Sequence, residues 1–308
     1  MPDAEQPMVR PSVPEADKEI GVRHPVLGHG FVALVDYMGD DAAIVQAARV
    51  SYGRGTKTVR DDRGLIRYLL RHRHTTPFEM VELKFVVRLP IFVARQWIRH
   101  RSASTNEYSA RYSVVPDEFE VPPPDEVRHQ SLRNRQGRGG PLEPAVVERF
   151  RSDLERVSTE AYAAYSRALE AGVARETARL VLPVAYYTQW YWKVNLWNLF
   201  HFLSLRLDLH AQEEIRLYAA EVARLGHLVC PVAFEAFDEF VLEGVSLGRR
   251  EQQALRSLLN GATPAVACRE AGLPLKREDG RPMTTGEGVE FLEKLAKLRG
   301  ESPSEPDG

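Results

Sequence analysis

Short apolar runs and helically spaced apolar residues alternate along the first hundred positions of the chain. Residues 31–37 (FVALVDY) and 83–89 (LKFVVRL) are short, largely apolar runs, and both predict strands. Helices are predicted over residues 42–50 and 65–70, where leucine and isoleucine recur at helical spacing in the second segment. Between these helices, the polar, glycine-containing residues 53–62 predict a loop.

Longer periodic segments follow in the second half. From residue 147 to 168 an apolar residue recurs every three or four positions, which predicts an amphipathic helix with Gly172 as its terminator. Residues 186–194 (YYTQWYWKV) are aromatic and β-branched, and they predict a strand. A second long helix is predicted over residues 215–229, and it should end near Pro231.

The segments between these elements are less regular. Residues 91–100 have helical spacing, whereas the proline-rich residues 114–124 predict an irregular connection. Residues 128–140 combine arginines with glycine and asparagine, which predicts a mobile surface loop. The pattern therefore predicts a mixture of helices and strands, but it does not select a topology.

The two ends of the chain differ from the middle. Residues 1–19 are rich in proline and acidic residues and lack an apolar segment, so they predict a disordered tail rather than a secretory signal. Residues 244–308 have a different character, with short helices predicted over 246–260, 263–271 and 285–298. We interpret them as a helical C-terminal extension, to which the sequence assigns no role.

Composition and charge narrow the range of functions. The formal net charge of -2 gives no global attraction to nucleic acid or to anionic membranes, so anion binding requires a local cluster. No apolar run reaches the length of about 18 residues that a membrane span needs. The two cysteines, Cys230 and Cys268, form no CxxC pair and have no zinc-like spacing with histidine. These features predict a cytoplasmic protein with no metal site.

Charged and polar side chains are concentrated between residues 99 and 111. This stretch of thirteen residues holds three guanidinium groups, an imidazole, an amide, a carboxylate and a hydroxyl group. Arginine forms paired hydrogen bonds with phosphate oxygens, and the other polar groups can bind a sugar or a base edge. A solvated basic face is the alternative interpretation. The apolar residues 90–98 (PIFVARQWI) come directly before the cluster and favour a cleft, so the spacing alone predicts a site for an anionic ligand.

The same stretch also resembles a known signature. Arg99, His100, Arg101 and Ser109 match the RHR-x7-S hallmark of flavin-dependent thymidylate synthases. Further stretches that resemble this family follow the family's order along the chain: residues 74–79 (HTTPFE), 90–97 (PIFVARQW), 178–183 (ARLVLP), Asn195 and 198–212 (NLFHFLSLRLDLHAQ). The resemblance covers roughly residues 30–242, so residues 20–243 are expected to form the catalytic domain.

The resemblance implies both a fold and an activity. The expected fold is α+β, a twisted, mainly antiparallel sheet flanked by long helices, in a homotetramer whose subunits share each active site. The expected reaction is the reductive methylation of dUMP to dTMP. Methylenetetrahydrofolate would donate the carbon, and NADPH would supply reducing equivalents through FAD. No GxGxxG motif marks where NADPH binds.

The resemblance also implies residue roles. Arg206 is expected to be the catalytic residue that activates dUMP, because a fixed cation beside the uracil ring favours its ionised form. The residues expected to bind dUMP are Gln96, Arg99, Glu107, Ser109, Ala110, Arg111, Arg179 and Arg206. The residues expected to bind FAD are Ser51, His74, Thr76, Glu79, Arg99, His100, Arg101, Asn106, Glu107, Asn195, His201 and His210.

Several of these residues also have simpler interpretations. Arg206 could pair with Asp208 on a surface turn, and His201, which has phenylalanine on both sides, could be a buried core histidine. Two positions depart from the family pattern. Trp197 stands where a basic residue is frequent, and Ala110 stands where glycine is frequent.

Two other functions use parts of the same pattern. A nucleic-acid-binding protein could use the arginine cluster together with the short C-terminal helices, and it would show steep salt dependence. A flavoprotein of the same fold could have lost the nucleotide chemistry. The near-neutral charge opposes the first alternative, and the presence of Arg99, Ser109, Arg179 and Arg206 together opposes the second.

Overall fold

The computed structural model describes residues 12–50, 62–131 and 137–301. The strands are β1 (His24–Val26), β2 (Gly30–Met38), β3 (Glu82–Pro90), β4 (Ser104–Glu107), β5 (Arg128–Gln130), β6 (Arg138–Pro141) and β7 (Tyr187–Asn195). Five of them form one sheet in the order β1-β2-β3-β7-β4, and every neighbouring pair is antiparallel. The predicted α+β class with an antiparallel sheet is therefore confirmed.

Helices make up much of the remaining described chain. In chain order they are α1 (Pro14–Asp17), α2 (Asp41–Val50), α3 (Asp62–Arg71), α4 (Thr76–Glu79), α5 (Ile91–Trp97), α6 (Pro144–Glu170), α7 (Arg175–Ala178), α8 (Leu196–Arg206), α9 (Glu213–Val229), α10 (Pro231–Phe237), α11 (Arg249–Leu259), α12 (Pro264–Glu270) and α13 (Glu287–Leu298). A short 3-10 turn, Arg179–Val181, follows α7 directly. None of the helices in the described part of the chain combines the length and the apolar character that crossing a membrane requires.

The centre of the sheet is the pair of β3 and β7, which stay in register over nine residues. On β3 every second side chain, at Leu83, Phe85, Val87 and Leu89, is fully buried, whereas the residues between them up to Arg88 are only half-buried. Successive side chains of a strand point to opposite faces of the sheet, so this alternation shows that one face of the sheet packs on a core.

The main core joins this face of the sheet to α5, α8 and α9. Trp97, the last residue of α5, lies at its centre and is almost fully buried. Its ring centroid lies 4.6 Å from that of Phe202 on α8, 5.0 Å from that of Trp192 on β7 and 6.3 Å from that of Tyr218 on α9. Aromatic packing therefore fixes the end of α5 relative to α8, and this arrangement positions the site described below.

The predicted central strands and most of the predicted helices are confirmed. On α9, Ile215 and Tyr218 are fully buried, as the helical spacing of its apolar residues requires. Helix α5 ends at Trp97 and not at residue 100, which frees the following residues from helical geometry. The corresponding strands span residues 30–38, 82–90 and 187–195, and the corresponding helices span 41–50, 62–71, 144–170, 213–229, 249–259, 264–270 and 287–298. The predicted strand 186–194 and the three predicted C-terminal helices extend one to three residues beyond these bounds.

Two expectations need correction. Residues 12–19, predicted to be part of a disordered tail, are ordered: α1 forms there, and Ala16 is fully buried. Residues 128–140, predicted to be a mobile loop, contain β5 and most of β6, which pair as a hairpin. Of the loop predicted over residues 53–62, all but the last residue lies outside the described residues.

Helix α6 contains the predicted apolar repeat and extends beyond it at both ends, but its apolar face is only partly covered. Val147, Ser158 and Tyr165 are the buried residues of this helix. Phe150 and Val157, which belong to the same apolar repeat, are 49% and 47% exposed. An amphipathic helix that leaves such residues open has an apolar surface available for another partner.

The chain divides into two compact units. Unit 1 comprises Met1–Pro124 and Pro144–Leu242 and contains the five-stranded sheet. Unit 2 comprises Asp125–Glu143 and Glu243–Gly308, and its helices α11 to α13 have a small core of their own that includes Phe291 and Leu273. Unit 2 includes residues 125–143, which was not predicted, and the C-terminal extension over residues 244–308 stays a prediction.

Candidate active site

A basic cleft of about 390 Å³ lies in unit 1, between the segment after α5 and the exposed side of α8. Its cationic side chains are Arg99, Arg101 and Arg206. The complete lining, which we call the basic cleft, is Arg99, His100, Arg101, Ser102, Ala103, Trp192, Val194, Asn198, His201, Leu205 and Arg206. The cleft therefore brings residues 99–101 together with residues more than ninety positions later in the chain.

The end of α5 explains how residues 99–101 reach the cleft. Trp97 is held in the core, and the backbone NH of His100 donates to the carbonyl of Trp97 at 3.0 Å. The chain then leaves the helix and continues into β4, the edge strand beside β7. Arg99 and Arg101 are exposed on this short connection, while His100 is half-buried.

Helix α8 supplies the opposite side of the cleft. Asn195 begins it as an N-cap, since its side-chain oxygen accepts a hydrogen bond from the backbone NH of Asn198 at 2.9 Å. Asn198, His201 and Leu205 recur at spacings of three and four residues, so they share one helix face. His201 is consequently exposed to the cleft, and its interpretation as a core histidine is wrong.

Arg206 is half-buried at the end of α8 and donates its Nε–H to Nε2 of His100 at 2.9 Å. Burial lowers the pKa of Arg206 from its usual value. Burial and the nearby charges of Arg206 and His201 lower the pKa of His100 to about 4. The imidazole is therefore neutral at physiological pH and accepts a hydrogen bond at Nε2. Asp208, the suggested partner of Arg206, contacts His210 instead at 2.8 Å.

A second arginine group forms elsewhere in unit 1. The Arg111 Nε lies 3.2 Å from Oε2 of Glu176 on α7, and Ser109 Oγ accepts from the backbone NH of Arg111 at 3.3 Å. Arg179 follows α7 directly and is exposed. We call Ser109, Arg111, Glu176 and Arg179 the second arginine group. Within one chain, Arg99 and Arg206 share the basic cleft, whereas Arg111 and Arg179 are not part of its lining.

Known proteins share both this chain's sequence and its fold. Residues 33–232 match the family model described as Thymidylate synthase complementing protein. A flavin-dependent thymidylate synthase from Ruegeria pomeroyi is 54% identical over 254 residues, which cover 81% of this chain and 83% of the relative. One from Thermus thermophilus is 57% identical over 242 residues, which cover 79% of this chain and 87% of the relative. The chain belongs to the flavin-dependent thymidylate synthase family.

A solved structure agrees with this membership in the flavin-dependent thymidylate synthase family. The UMP/dUMP methylase PolB from Streptomyces cacaoi, bound with 5-Br dUMP, has a TM-score of 0.63 and 37% identity. The similarity covers 71% of this chain and 98% of that one. The protein is accordingly a methyltransferase that forms dTMP from dUMP and uses FAD as its cofactor. Its relatives and this structural neighbour give no support to the nucleic-acid-binding alternative.

The thiols fit the flavin-dependent class of thymidylate synthase rather than the class that uses a cysteine nucleophile. Cys230 is completely buried, and burial raises the pKa of its thiol well above the usual value. Burial also raises the pKa of Cys268, which lies in unit 2. Because the thiolate is the nucleophilic form, neither group is prepared to attack a uracil ring.

Four further residues expected from the family's pattern are not part of the lining of the basic cleft: Gln96, Asn106, Glu107 and Ala110. Gln96 on α5 donates a short hydrogen bond to Gln212, and Glu107 on β4 accepts one from Thr188 at 2.7 Å. Asn106 on the same edge strand is exposed. Ala110 is half-buried and packs against the small apolar cluster that contains Tyr165.

The remaining expected flavin residues lie on or near α4, α8 and the segment after α8. The His74 ring stacks on Tyr68 with centroids 5.9 Å apart, and Thr76 and Glu79 bound α4. Trp197, at the position that is frequently basic in the family, has its ring 6.2 Å from that of Phe78 on α4. His210 is exposed, and Ser51 lies outside the described residues.

Sequence reasoning missed several residues of the cleft in this family member. Asn198 and Leu205 were not among the expected site residues, although both follow from His201 by helical spacing. Trp192 and Val194 reach the cleft from β7, where the sequence indicated only a buried strand. The sequence contains no signal for the hydrogen bond between His100 and Arg206, because the two residues are far apart along the chain.

Proposed function

We propose that the basic cleft is the catalytic centre and that Arg206 activates dUMP there. The observation that carries the proposal is the position of Arg206, a half-buried cation at the wall of a cleft that also contains Arg99 and Arg101. Unit 1 would thus carry the catalytic function. NADPH as reductant and methylenetetrahydrofolate as carbon donor complete the reaction expected for this family.

The chemical role of Arg206 follows from its charge and its burial. A uracil ring placed against the guanidinium would have its ionised form favoured, and the ring carbon that receives the new group would become more nucleophilic. Partial removal from water strengthens this interaction relative to a fully exposed cation. Arginine keeps its proton even when burial lowers its pKa, so the charge is permanent during turnover.

The donor set of the cleft suits an anionic cofactor such as FAD. Arg99 and Arg101 offer guanidinium groups of the kind that bind phosphate oxygens in pairs, while Asn198 and His201 add hydrogen-bonding groups. When bound, FAD supplies the hydride that completes the methyl group. The chain's own residues would hold the flavin and substrate together and exclude water from the reacting atoms.

The two arginine groups support an active site that is shared between subunits. We propose that the basic cleft of one chain meets the second arginine group of another, so that Arg111 and Arg179 reach the phosphate of a nucleotide beside Arg206. Large apolar side chains near the second group are open, with Tyr112 76% and Leu180 77% exposed. Together with the open face of α6, they provide apolar surface for the proposed homotetramer.

Complementation between variants tests the shared site. Arg206→Ala alone and Arg111→Ala alone should each abolish or strongly reduce dTMP formation. When both chains are co-expressed in one oligomer, about a quarter of the sites would combine an intact half from each chain, so about a quarter of the activity should return. Activity no higher than that of the separate variants would place both groups in the same chain's site.

The flavin spectrum tests the activity itself. Purified protein should be yellow, and NADPH oxidation should accelerate when dUMP is added. Arg206→Ala should lose dTMP formation while keeping its bound flavin, because the substitution removes the activating cation and leaves Arg99 and Arg101 in place. Full activity of this variant would remove Arg206 from the proposed role, and a preparation that cannot be reconstituted with FAD would contradict the cofactor.

A further inference from the structure

We propose that His100 is a positioning residue for Arg206: its Nε2 accepts the Nε–H of Arg206 and so aims the guanidinium at the substrate. This inference rests on the proposed function of Arg206. It adds a role that the family pattern did not imply, because the resemblance placed His100 among the flavin-binding residues.

The hydrogen-bonded pair of His100 and Arg206 is connected to the core by aromatic contacts. Nε of Arg206 and Nε2 of His100 are 2.9 Å apart, at the end of α8 and on the segment after α5 respectively. The His100 ring meets Phe202 edge to face, with centroids 4.9 Å apart at 76°. Phe202 is fully buried and packs against Trp97, which anchors the end of α5. Core packing thus fixes the His100 ring, and the ring in turn fixes the Arg206 side chain through the hydrogen bond.

The choice of Nε as the bonded atom has a chemical consequence. A guanidinium group carries five N–H donors in one plane and has no acceptor. When Nε–H is bound to His100, the plane of the group is set and the terminal NH₂ groups remain for the substrate. An unrestrained arginine side chain samples many rotamers, and this bond removes part of that freedom before the substrate binds.

The bond also requires a neutral imidazole. Protonated histidine has N–H groups at both ring nitrogens and cannot accept a hydrogen bond. The groups facing His100 from the surrounding elements are Arg206 and His201 on α8, with Arg99 and Arg101 on its own segment. Burial of the ring, together with Arg206 and His201, disfavours a positive charge on His100 and lowers its pKa, so the acceptor persists through the neutral pH range.

The proposal is tested by substitutions of His100 that place a hydrogen-bond acceptor at different distances from the backbone. Glutamine carries its oxygen near the position of Nε2, whereas asparagine reaches only to the position of Nδ1. His100→Leu, which removes the acceptor, and His100→Asn should each lower kcat about 100-fold, the scale expected when a catalytic group shifts by about 1 Å. His100→Gln should stay within about tenfold of the wild type on the same scale. An asparagine variant as active as the glutamine variant, or a leucine variant close to wild type, would overturn the proposal.

Coupling to Arg206 separates this inference from the proposed function. The dUMP affinity of the flavin-loaded protein is measured by equilibrium dialysis for the wild type, His100→Leu, Arg206→Ala and the double variant, with flavin content recorded for each. His100→Leu should weaken dUMP binding in the wild-type background and cause no further loss in the Arg206→Ala background. An equal loss in both backgrounds means that His100 acts through another group, and the inference fails alone. Unchanged turnover in Arg206→Ala would instead overturn the proposed function.

Discussion

Phe202 links the core of the enzyme to the basic cleft, and Phe202→Ala tests that link. The side chain is fully buried, and its ring centroid lies 4.6 Å from that of Trp97 and 5.1 Å from that of Trp192. On its outer side it meets the His100 ring at 4.9 Å. Removal of the ring would leave a cavity between three aromatic groups that have little freedom to close it.

The expected magnitude follows from burial and cavity formation. Truncation of a fully buried phenylalanine to alanine lowers the free energy of unfolding by about 3–5 kcal/mol. For a unit of this size each kcal/mol corresponds to about 2–4 °C in melting temperature, so the variant should melt about 6–20 °C below the wild type. Since the His100 ring loses its support, dTMP formation at a permissive temperature should fall by more than flavin content does.

Thermal unfolding followed by circular dichroism provides the assay. Protein concentration and added FAD must be the same for all samples, because ligands and association shift the apparent melting temperature. Phe202→Leu is the matched control, since it keeps most of the apolar volume and should cost less than about 1.5 kcal/mol. A melting temperature of Phe202→Ala within about 2 °C of the wild type would show that this ring is not a support of the core.

Three further measurements test the packing, the pH dependence and the thiols. Gly30→Ala should destabilise the protein by about 3 kcal/mol in denaturant titrations, because the new Cβ would lie 2.5 Å from the carbonyl oxygen of Val26; an unchanged midpoint would contradict this packing. The pKa of His100 is lowered from 6.5 to about 4, so the unfolded chain binds more protons in this interval and the free energy of unfolding should decrease as pH falls through it. His100→Gln should flatten this slope, and equal slopes would show that His100 does not cause it. Cys230 and Cys268 should react with Ellman's reagent only after unfolding, and their alanine variants should still form dTMP, whereas loss of chemistry in stably folded variants would point to a thiol mechanism.

The elements that the sequence predicts best are those buried on one side. β3 and α9 show the periods of strand and helix because most of their apolar residues face one core. β4 was not predicted, and all four of its residues are exposed, so an edge strand of this kind has no apolar alternation to detect. The pattern of apolar and polar residues also could not predict the strand order, because the order depends on pairing between distant segments.

The site was predictable only in part for similar reasons. The concentration of charge at residues 99–111 indicated an anion site, but its members divide between the basic cleft and the second arginine group. The association of Arg99 with Arg206 came from resemblance to a family, since spacing carries no information about contacts across the fold. His201 was misjudged because its phenylalanine neighbours point into the core, while each helical residue turns by about 100° from the last.

Unit 2 is built from two stretches of chain that are separated by residues 144–242. At synthesis rates of about 5–20 residues per second, the intervening residues take roughly 5–20 seconds to emerge from the ribosome. Residues 125–143 are therefore synthesised well before the rest of unit 2, and β7 and α8 to α10 are made in the interval. Genetic removal of unit 2 must likewise take account of its two separate stretches of chain. A stop codon at position 243 leaves the hairpin of β5 and β6 behind, and a clean excision must also rejoin residue 124 to residue 144.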